Sequence, residues 1–398
     1  MTIGRKIWLC MMWLLAAMVV STSAGAQPPQ PPAGQATVMT QNMNVGNFGT
    51  LREGMYTPEA VAKFFIDTRD NLKPKERAEA VALEIKANQP DLVALQEVGL
   101  LRKGSGATPN DPKTPATEVV HDQLQLLRDA LNNAPQARYD TVAIIPNSDI
   151  QFPSALGHVV RVTDRTVILA QASSNRLKLS NVQVQELLAK PALSFPVTFA
   201  TGQTMSAFFL TGTFGWGSVD VEVGNRKFRF VTTHLMPVPP PVPPPPPEQA
   251  LLFAIQNAQA SELIQSAGKP EFPGGSVLPV VYVGDFNTVL PLRTYGTLVD
   301  NSSRIDAWLK KNGMAASCPE PRPPESDHDR TGCTCCQKPT LNNPTSELDH
   351  RIDLVIVPPG TDIAETRLVG ADPPTSSHLW PSDHAGVVVS FMPPSTNH

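Results

Sequence analysis

The chain has 398 residues, of which 41% are apolar and 17% are charged, so it can bury the core of a globular protein. Its formal net charge is −4 at pH 7, which excludes binding to duplex nucleic acid through a general positive surface. Nucleic acid is still open as a substrate, because a bound metal ion can neutralise phosphate locally.

Residues 1–26 have the pattern of a secretory signal peptide. Arg5 and Lys6 precede an apolar segment, 7–20, that is short for a membrane span, and residues 24–26 fit a small-residue cleavage site. We therefore predict a secreted or periplasmic protein that has no membrane span after cleavage. An uncleaved membrane anchor is the alternative.

Strands and helices alternate along residues 37–394, which we predict to form one α/β domain after a Pro-rich flexible leader at 27–36. The apolar pattern predicts strands at 38–43, 91–98, 158–162, 165–171, 205–212, 218–223, 227–235, 280–284, 350–358 and 384–391. It predicts helices at 77–85, 121–134 and 249–266. A Pro-rich insertion at 237–247 and a Cys-rich loop at 318–336 interrupt the domain.

All four cysteines that follow the signal peptide lie in the Cys-rich loop: Cys318, Cys333, Cys335 and Cys336. In an oxidising compartment, two local disulfides are the natural interpretation, and the sequence leaves three pairings open. A zinc site that includes His328 is the alternative, although the C-x-C-C spacing lacks the two intervening residues typical of zinc turns.

Polar side chains collect where the predicted strands begin or end. These residues are Asn42, Glu97, His234, Asp285, Asn287, Asp353, Asp383 and His384. Each alone has an ordinary explanation as a solvated strand end or a turn residue. Asp353 differs, because it interrupts apolar positions and needs a partner if it is buried. The set as a whole suits the attack of water on a phosphate ester.

The carboxylates of this set are suited to magnesium. Glu97, helped by Asn42 and Asp383, would supply the oxygen ligands that Mg²⁺ prefers, while Mn²⁺ or Ca²⁺ is the alternative ion. His384 would take a proton from water if Asp353 fixes its orientation. Asp285 would orient the water or take part in metal binding.

The remaining two residues are candidate donors to phosphate. His234 and Asn287 would stabilise the extra negative charge of the transition state.

The motifs LQE (95–97), GDFN (284–287) and SDH (382–384), in this order, resemble the endonuclease/exonuclease/phosphatase superfamily. This superfamily includes pancreatic-type deoxyribonucleases, abasic-site endonucleases, inositol polyphosphate 5-phosphatases and neutral sphingomyelinases. The resemblance spans about residues 37–392. It implies a four-layer α/β/β/α sandwich of two stacked mixed sheets flanked by helices, with a metal-dependent phosphoesterase site at one edge.

The resemblance also implies residue roles. Asn42 and Glu97 match metal-side residues, and Asp285 and Asn287 match phosphate and water contacts. Asp353 and His384 match the family's Asp–His pair, and Asp383 matches the acid next to it. His234 matches a histidine of the deoxyribonuclease and sphingomyelinase branches. The Pro-rich insertion and the Cys-rich loop are not shared by the well-known branches. Because loops set substrate choice in this fold, the substrate stays open.

We therefore expect a secreted, monomeric, Mg²⁺-dependent phosphodiesterase that acts on nucleic acid, most simply as an endonuclease. One alternative is an enzyme of sphingomyelinase type acting on lipid or small phosphoesters, which would need an exposed apolar hairpin; residues 191–209 are the nearest candidate. A second alternative is an inactive surface-binding protein. The sequence leaves open whether the substrate is DNA or RNA, whether cleavage is internal or from an end, and whether one or two metal ions bind.

Overall fold

The computed structural model describes residues 32–53, 57–105, 114–133, 138–172, 175–190, 196–198, 204–206, 208–238, 247–269, 277–313, 318, 332–371 and 375–395. The predicted signal peptide lies outside these ranges, as do residues 27–31 of the leader, 239–246 of the Pro-rich insertion and 319–331 of the Cys-rich loop. Within the described ranges, every helix is too short or too polar to cross a membrane.

The first sheet has nine strands and is mixed. The seven strands of its main path, in spatial order, are β10 (Phe208–Gly212), β5 (Tyr139–Pro153), β6 (His158–Gln171), β2 (Leu92–Gln96), β1 (Ala36–Asn42), β17 (Gly386–Met392) and β16 (Asp362–Val369). The other two are β3 (Leu100–Ser105), which pairs with β6, and β4 (Glu118–Asp122), which pairs with β3. β1 is parallel to β2 and antiparallel to β17.

The second sheet has six strands and is also mixed. Their spatial order is β14 (Ile305–Asp306), β15 (Asp353–Val357), β13 (Val280–Asp285), β12 (Arg226–His234), β11 (Phe214–Val223) and β7 (Leu177–Leu187). Only β12 and β13 among these pair in parallel. Two short strands, β8 (Pro196–Thr198) and β9 (Thr204–Ser206), pair with each other.

The helices are α1 (Phe48–Glu53), α2 (Pro58–Ile66), α3 (Pro74–Asn88), α4 (Gln123–Asn132), α5 (Pro247–Ala267), α6 (Arg293–Leu298) and α7 (Ala307–Asn312), with a π-helical segment at Asp67–Asn71. Helices α3 and α4 cover the first sheet, where Val81 and Leu127 share a cluster with Met39. Helix α5 covers the second sheet, where Leu263 packs with Tyr282.

The two sheets pack against each other through a third apolar cluster. Val38 and Ala94 of the first sheet share it with Phe230 and Val283 of the second. Because side chains alternate along a strand, the neighbouring Met39 points instead to the helical layer. This explains why central strands such as β2 and β15 are buried and apolar at nearly every position, and it confirms the four-layer α/β/β/α sandwich.

Three sequence predictions of element bounds were wrong. The strand predicted at 205–212 is two strands in different sheets, β9 and β10. The predicted break between strands at 163–164 does not exist, because β6 runs unbroken through both residues. The helix predicted from residue 121 begins at Gln123, because Asp122 ends β4 and caps the helix by accepting hydrogen bonds from the amides of Leu124 and Gln125.

Candidate active site

The register of the two sheets brings the polar strand ends to one edge of the sandwich. In the second sheet, His234 pairs with Asp285 across the parallel strands β12 and β13, and Asp285 faces Asp353 across the antiparallel pair β13 and β15. In the first sheet, Glu97 directly follows β2 beside the end of its parallel neighbour β1. His384 precedes β17, which runs antiparallel to β1. All of these ends therefore open on the same edge.

Asn42 links the two sheets. It is fully buried, and its amide nitrogen donates to Glu97 Oε1 and to Asp285 Oδ2, both at 3.1 Å. Its amide oxygen accepts a hydrogen bond from the backbone of Asn44 at 2.9 Å. In this orientation the NH₂ group of Asn42 faces the carboxylates and holds Glu97 and Asp285 in place.

Glu97 lies in an environment of excess negative charge. Its backbone is left-handed, with φ of 52°, and its Oε2 accepts the amide N–H of Val45 at 3.0 Å. Burial raises the pKa of Glu97, and the nearby Asp383 carboxylate raises it further. Among the described residues, neither Glu97 nor Asp383 forms an ion pair with lysine or arginine. Two partly uncompensated carboxylates are a suitable environment for a divalent cation.

Asp353 and His384 form a buried pair. Their side chains meet at 2.9 Å between Asp353 Oδ2 and His384 Nδ1. Burial opposes a charge on the imidazole, but Asp353 in particular raises the pKa of His384 well above its ordinary value. Burial also raises the pKa of Asp353. The pair therefore holds one proton strongly, and His384 is a well-oriented proton acceptor.

Thr334 supports this pair from the adjacent chain segment. It is fully buried, and its hydroxyl oxygen accepts the backbone N–H groups of Ile352 and Asp353, both at 3.1 Å. The contact fixes the start of β15 and with it the direction of the Asp353 side chain.

His234 is surrounded by carboxylates. Its Nε2 lies 3.6 Å from Asp285 Oδ2 and 4.0 Å from Glu97 Oε1, and its Nδ1 lies 3.7 Å from Asp164 Oδ2. Burial disfavours the charged imidazole, yet these three carboxylates together raise the pKa of His234 to about 9. At neutral pH it therefore carries a positive charge into the site.

Asn287 is held by its neighbours in a left-handed conformation, with φ of 49°. Its backbone N–H donates to Asp285 Oδ1 at 2.9 Å, and its side-chain amide donates to the carbonyl of Leu235 at 2.9 Å. Gln256 of α5 donates to its backbone carbonyl at 2.8 Å. One hydrogen of the Asn287 amide is thus used internally, and the second can serve a ligand.

The sequence reasoning missed Asp164 and its partner Asn147. Asp164 lies in β6, at the predicted break between two strands, and Asn147 donates to its Oδ2 at 3.3 Å. Both carry a buried side-chain oxygen without a hydrogen-bond partner. The available signal was the one acidic residue of β6, which lies between Val162 and Val167.

Arg77, also missed, lies buried beneath the site. Its guanidinium donates to four backbone carbonyls, of Leu72 at 2.8 Å, Met43 and Pro381 at 3.0 Å, and Asn44 at 3.2 Å. Burial lowers the pKa of Arg77 to about 10, although the site carboxylates favour its charge. Arg77 thereby ties α3 to the loops that follow β1 and precede His384.

The structure pairs Cys318 with Cys333 and Cys335 with Cys336. These are the candidate disulfides among the three pairings that the sequence left open. His328, the alternative zinc ligand, lies outside the described residues.

The donor set fits a divalent metal ion. Ligand atoms of Asp285, Asp353 and His384 lie within 4.8 Å of one another, and burial together with the nearby Asp383 carboxylate raises the pKa of Glu97. Carboxylate oxygens of this kind favour hard cations such as Mg²⁺.

Comparison with solved structures finds proteins of similar fold. An endonuclease/exonuclease/phosphatase family protein from Bacteroides thetaiotaomicron is 15% identical, with a TM-score of 0.51 over 92% of this chain and 100% of its own. A mannosyl-6-phosphatase from the same organism is 14% identical, with a TM-score of 0.50 over 89% and 99%. The human nocturnin catalytic domain is 17% identical, with a TM-score of 0.47 over 90% and 93%.

At these identities the structural likeness shows the fold alone. No protein of curated function matches the sequence directly. The sequence profile of the Endonuclease/Exonuclease/phosphatase family, however, matches residues 39–384, most of the chain. The protein therefore belongs to the endonuclease/exonuclease/phosphatase family, whose enzymes hydrolyse phosphoester bonds and generally depend on a divalent metal ion.

Proposed function

We propose that this protein is a secreted, Mg²⁺-dependent phosphodiesterase that acts on nucleic acid. The observation that carries the proposal is the convergence of the Asp353–His384 pair, the cationic His234 and the carboxylate of Glu97 on one edge of the sandwich. This arrangement provides a proton acceptor, a positive charge and a metal ligand around one place where a phosphate can lie.

His384 is the proton acceptor in this proposal. Asp353 occupies its Nδ1, which directs Nε2 to the attacking water and stabilises the imidazolium that forms when the proton arrives. The carboxylate neighbours raise the pKa of His384, so the neutral, basic form becomes more abundant as the pH rises. We expect the rate to rise with pH across the neutral range.

His234 and Asn287 stabilise the charge that builds on phosphate oxygens. The imidazolium of His234 is held by Asp164 and Asp285, and the free hydrogen of the Asn287 amide points from a fixed backbone. Glu97 and Asp383 would hold the Mg²⁺ ion, which when bound supplies positive charge to a phosphate oxygen. Asn42 keeps Glu97 oriented for this contact.

The preference for nucleic acid is supported by His234, which matches the histidine of the deoxyribonuclease branch and lies beside the Asp164 carboxylate. The sphingomyelinase branch shares that histidine, so lipid phosphodiesters are the competing substrate class. The candidate lipid-contacting hairpin, 191–209, lies outside the residues whose side chains are described.

The test is hydrolysis of plasmid DNA, RNA, sphingomyelin, a sugar phosphate and an artificial phosphodiester, each with Mg²⁺ and with EDTA. We expect nicking of DNA or RNA that EDTA abolishes and Mg²⁺ restores. His384→Ala should lower the rate by about 10²- to 10⁴-fold. Preferred cleavage of the sugar phosphate or of sphingomyelin would refute the substrate assignment, and an unchanged rate in His384→Ala would refute the base.

Secretion is tested separately by the mass of the mature chain. Expression with the intact leader should give a protein in the periplasm or medium that begins near residue 27. Retention of residues 1–26 in a membrane fraction would support the uncleaved anchor instead.

A further inference from the structure

Two adjacent cysteines lie against the proton acceptor of the site. One ligand atom from each of Cys335, Cys336 and His384 lies within 4.8 Å of the other two. Cys335 and His384 are buried, whereas Cys336 is exposed. Neither cysteine has a part in the phosphodiesterase proposed above.

The main chain fixes these cysteines beside the imidazole. Cys335 forms β-bridges with both His350 and His384. On one side of the pair, the carbonyl of Thr334 accepts the N–H of Ala385 at 2.8 Å, and on the other side the N–H of Gln337 donates to the carbonyl of Asp383 at 2.8 Å. The two sulfurs therefore cannot move far from His384 without loss of this pairing.

We propose that Cys335, Cys336 and His384 form a second metal site, specific for a thiophilic divalent ion such as Zn²⁺ and open only when the two cysteines are reduced. Zinc bound at this site would also inhibit the phosphodiesterase, and this part of the proposal rests on the proposed function, in which His384 is the base. Two thiolates and one imidazole are a ligand set that zinc accepts in tetrahedral sites with one open position, and soft thiolates discriminate against Mg²⁺. Asp353 on Nδ1 orients the ring, as the outer partner of a zinc-bound histidine usually does.

The redox state of the pair controls access to this site. In the structure the two sulfurs are bonded to each other, so neither is a thiolate ligand. A thiol reductant opens the site: two reductant thiols form their own disulfide, the Cys335–Cys336 bond breaks, and each cysteine sulfur receives one hydrogen. The exposed Cys336 gives the reductant access. When Zn²⁺ binds, the cysteine protons are released to solvent.

Zinc at this site would block catalysis. His384 cannot accept a proton from water while Nε2 binds a metal ion, because Nδ1 is already taken by Asp353. The oxidised enzyme is then the active form, and the reduced enzyme is active only when zinc is absent.

The test measures Zn²⁺ directly, so that it does not depend on turnover. The full chain is treated with dithiothreitol, freed of it by anaerobic gel filtration, and titrated with Zn²⁺ against a chromogenic chelator in saturating Mg²⁺. Reduction also opens Cys318–Cys333, so the matched variants are Cys318→Ser/Cys333→Ser and Cys335→Ser/Cys336→Ser, both of which retain Cys10. Cys336→Ser alone changes the exposed member if the double variant fails to fold.

Reduction should add one tightly bound Zn²⁺ per chain in the Cys318→Ser/Cys333→Ser variant and none in the Cys335→Ser/Cys336→Ser variant. Adding His384→Asn to the Cys318→Ser/Cys333→Ser variant should weaken zinc binding at least tenfold. In the variant that keeps His384, Zn²⁺ should lower the phosphodiesterase activity at least tenfold, and only after reduction. Equal zinc binding before and after reduction, or equal binding by the two double variants, would overturn the site. Zinc binding without loss of phosphodiesterase activity would overturn its inhibitory role, whereas an enzyme inactive in every state would count against the proposed function alone.

Discussion

Replacement of Arg77 by methionine should destabilise the whole protein, even though Arg77 touches no substrate. The substitution keeps most of the buried stem and removes the guanidinium, which donates to four backbone carbonyls from three separate segments. Those carbonyls lie in a buried region beneath the site, where water cannot replace all four donors.

The magnitude follows from two opposing effects. A hydrogen bond from a charged group contributes about 1.5–3 kcal/mol, and the loss of one partner from a buried charged arrangement costs about 3–5 kcal/mol. Removal of Arg77 also relieves the burial cost that lowers its pKa to about 10. We expect Arg77→Met to lower the free energy of unfolding by about 3–5 kcal/mol. Arg77→Lys keeps the charge but cannot place hydrogen-bond donors at the same positions as the planar guanidinium. It should therefore lower the free energy of unfolding, but by less than Arg77→Met.

The assay is urea unfolding followed by circular dichroism and tryptophan fluorescence. Lys75→Met is the matched control, because Lys75 lies on the same helix, is exposed, and has only a weak pair with Glu79 at 3.9 Å. It should change the free energy of unfolding by under about 1 kcal/mol. A loss for Arg77→Met within that same range, at an unchanged denaturant slope, would refute the anchoring role of Arg77.

Three further predictions concern the site and the pH dependence of stability. Asp353→Asn should lower the rate about 10²- to 10⁴-fold. It should also move the acid limb of the pH–rate profile to lower pH, because Asp353 raises the pKa of His384. The control Asp349→Asn, in an exposed Asp–His pair, should change neither the rate nor the pH–rate profile. Glu97→Gln should raise the Mg²⁺ concentration for half-maximal activity at least tenfold, measured by Mg²⁺ titration, and an unchanged requirement would count against Glu97 as a ligand. Burial lowers the pKa of His121 to about 4, so the folded protein loses stability as the pH falls below 6.5, by about 2.5 kcal/mol at pH 4.5. The urea midpoint of His121→Gln should therefore fall less with acid than that of the wild type.

The sequence was sufficient to predict which residues meet at one edge of the sandwich, because these residues lie at strand ends. Asp285, Asp353 and His384 each interrupt or border an apolar run, and the apolar runs determine which strands are buried. Strands β12 and β13 are parallel neighbours in one sheet, and their register pairs His234 with Asp285. The four-layer sandwich followed from the resemblance rather than from periodicity.

The groups that support the site could not be predicted in the same way. Asp164 reaches His234 only because β6 lies in one sheet and β12 in the other, and local patterns carry no information on how two sheets stack. Arg77 shares the helix stripe of Val81 and Ile85, which indicates burial, but its four acceptors come from loops up to 304 positions away.

Charge balance in the finished site leads to a last prediction. Five carboxylates, those of Glu97, Asp164, Asp285, Asp353 and Asp383, surround three cations, His234, His384 and Arg77, which leaves two negative charges in excess when every group is ionised. One divalent cation matches that excess. Mg²⁺ at 100 times its dissociation constant should therefore raise the free energy of unfolding by about 2.7 kcal/mol, whereas KCl at equal ionic strength should not. If Mg²⁺ stabilises Glu97→Gln as much as the wild type, the ion does not bind where these carboxylates meet.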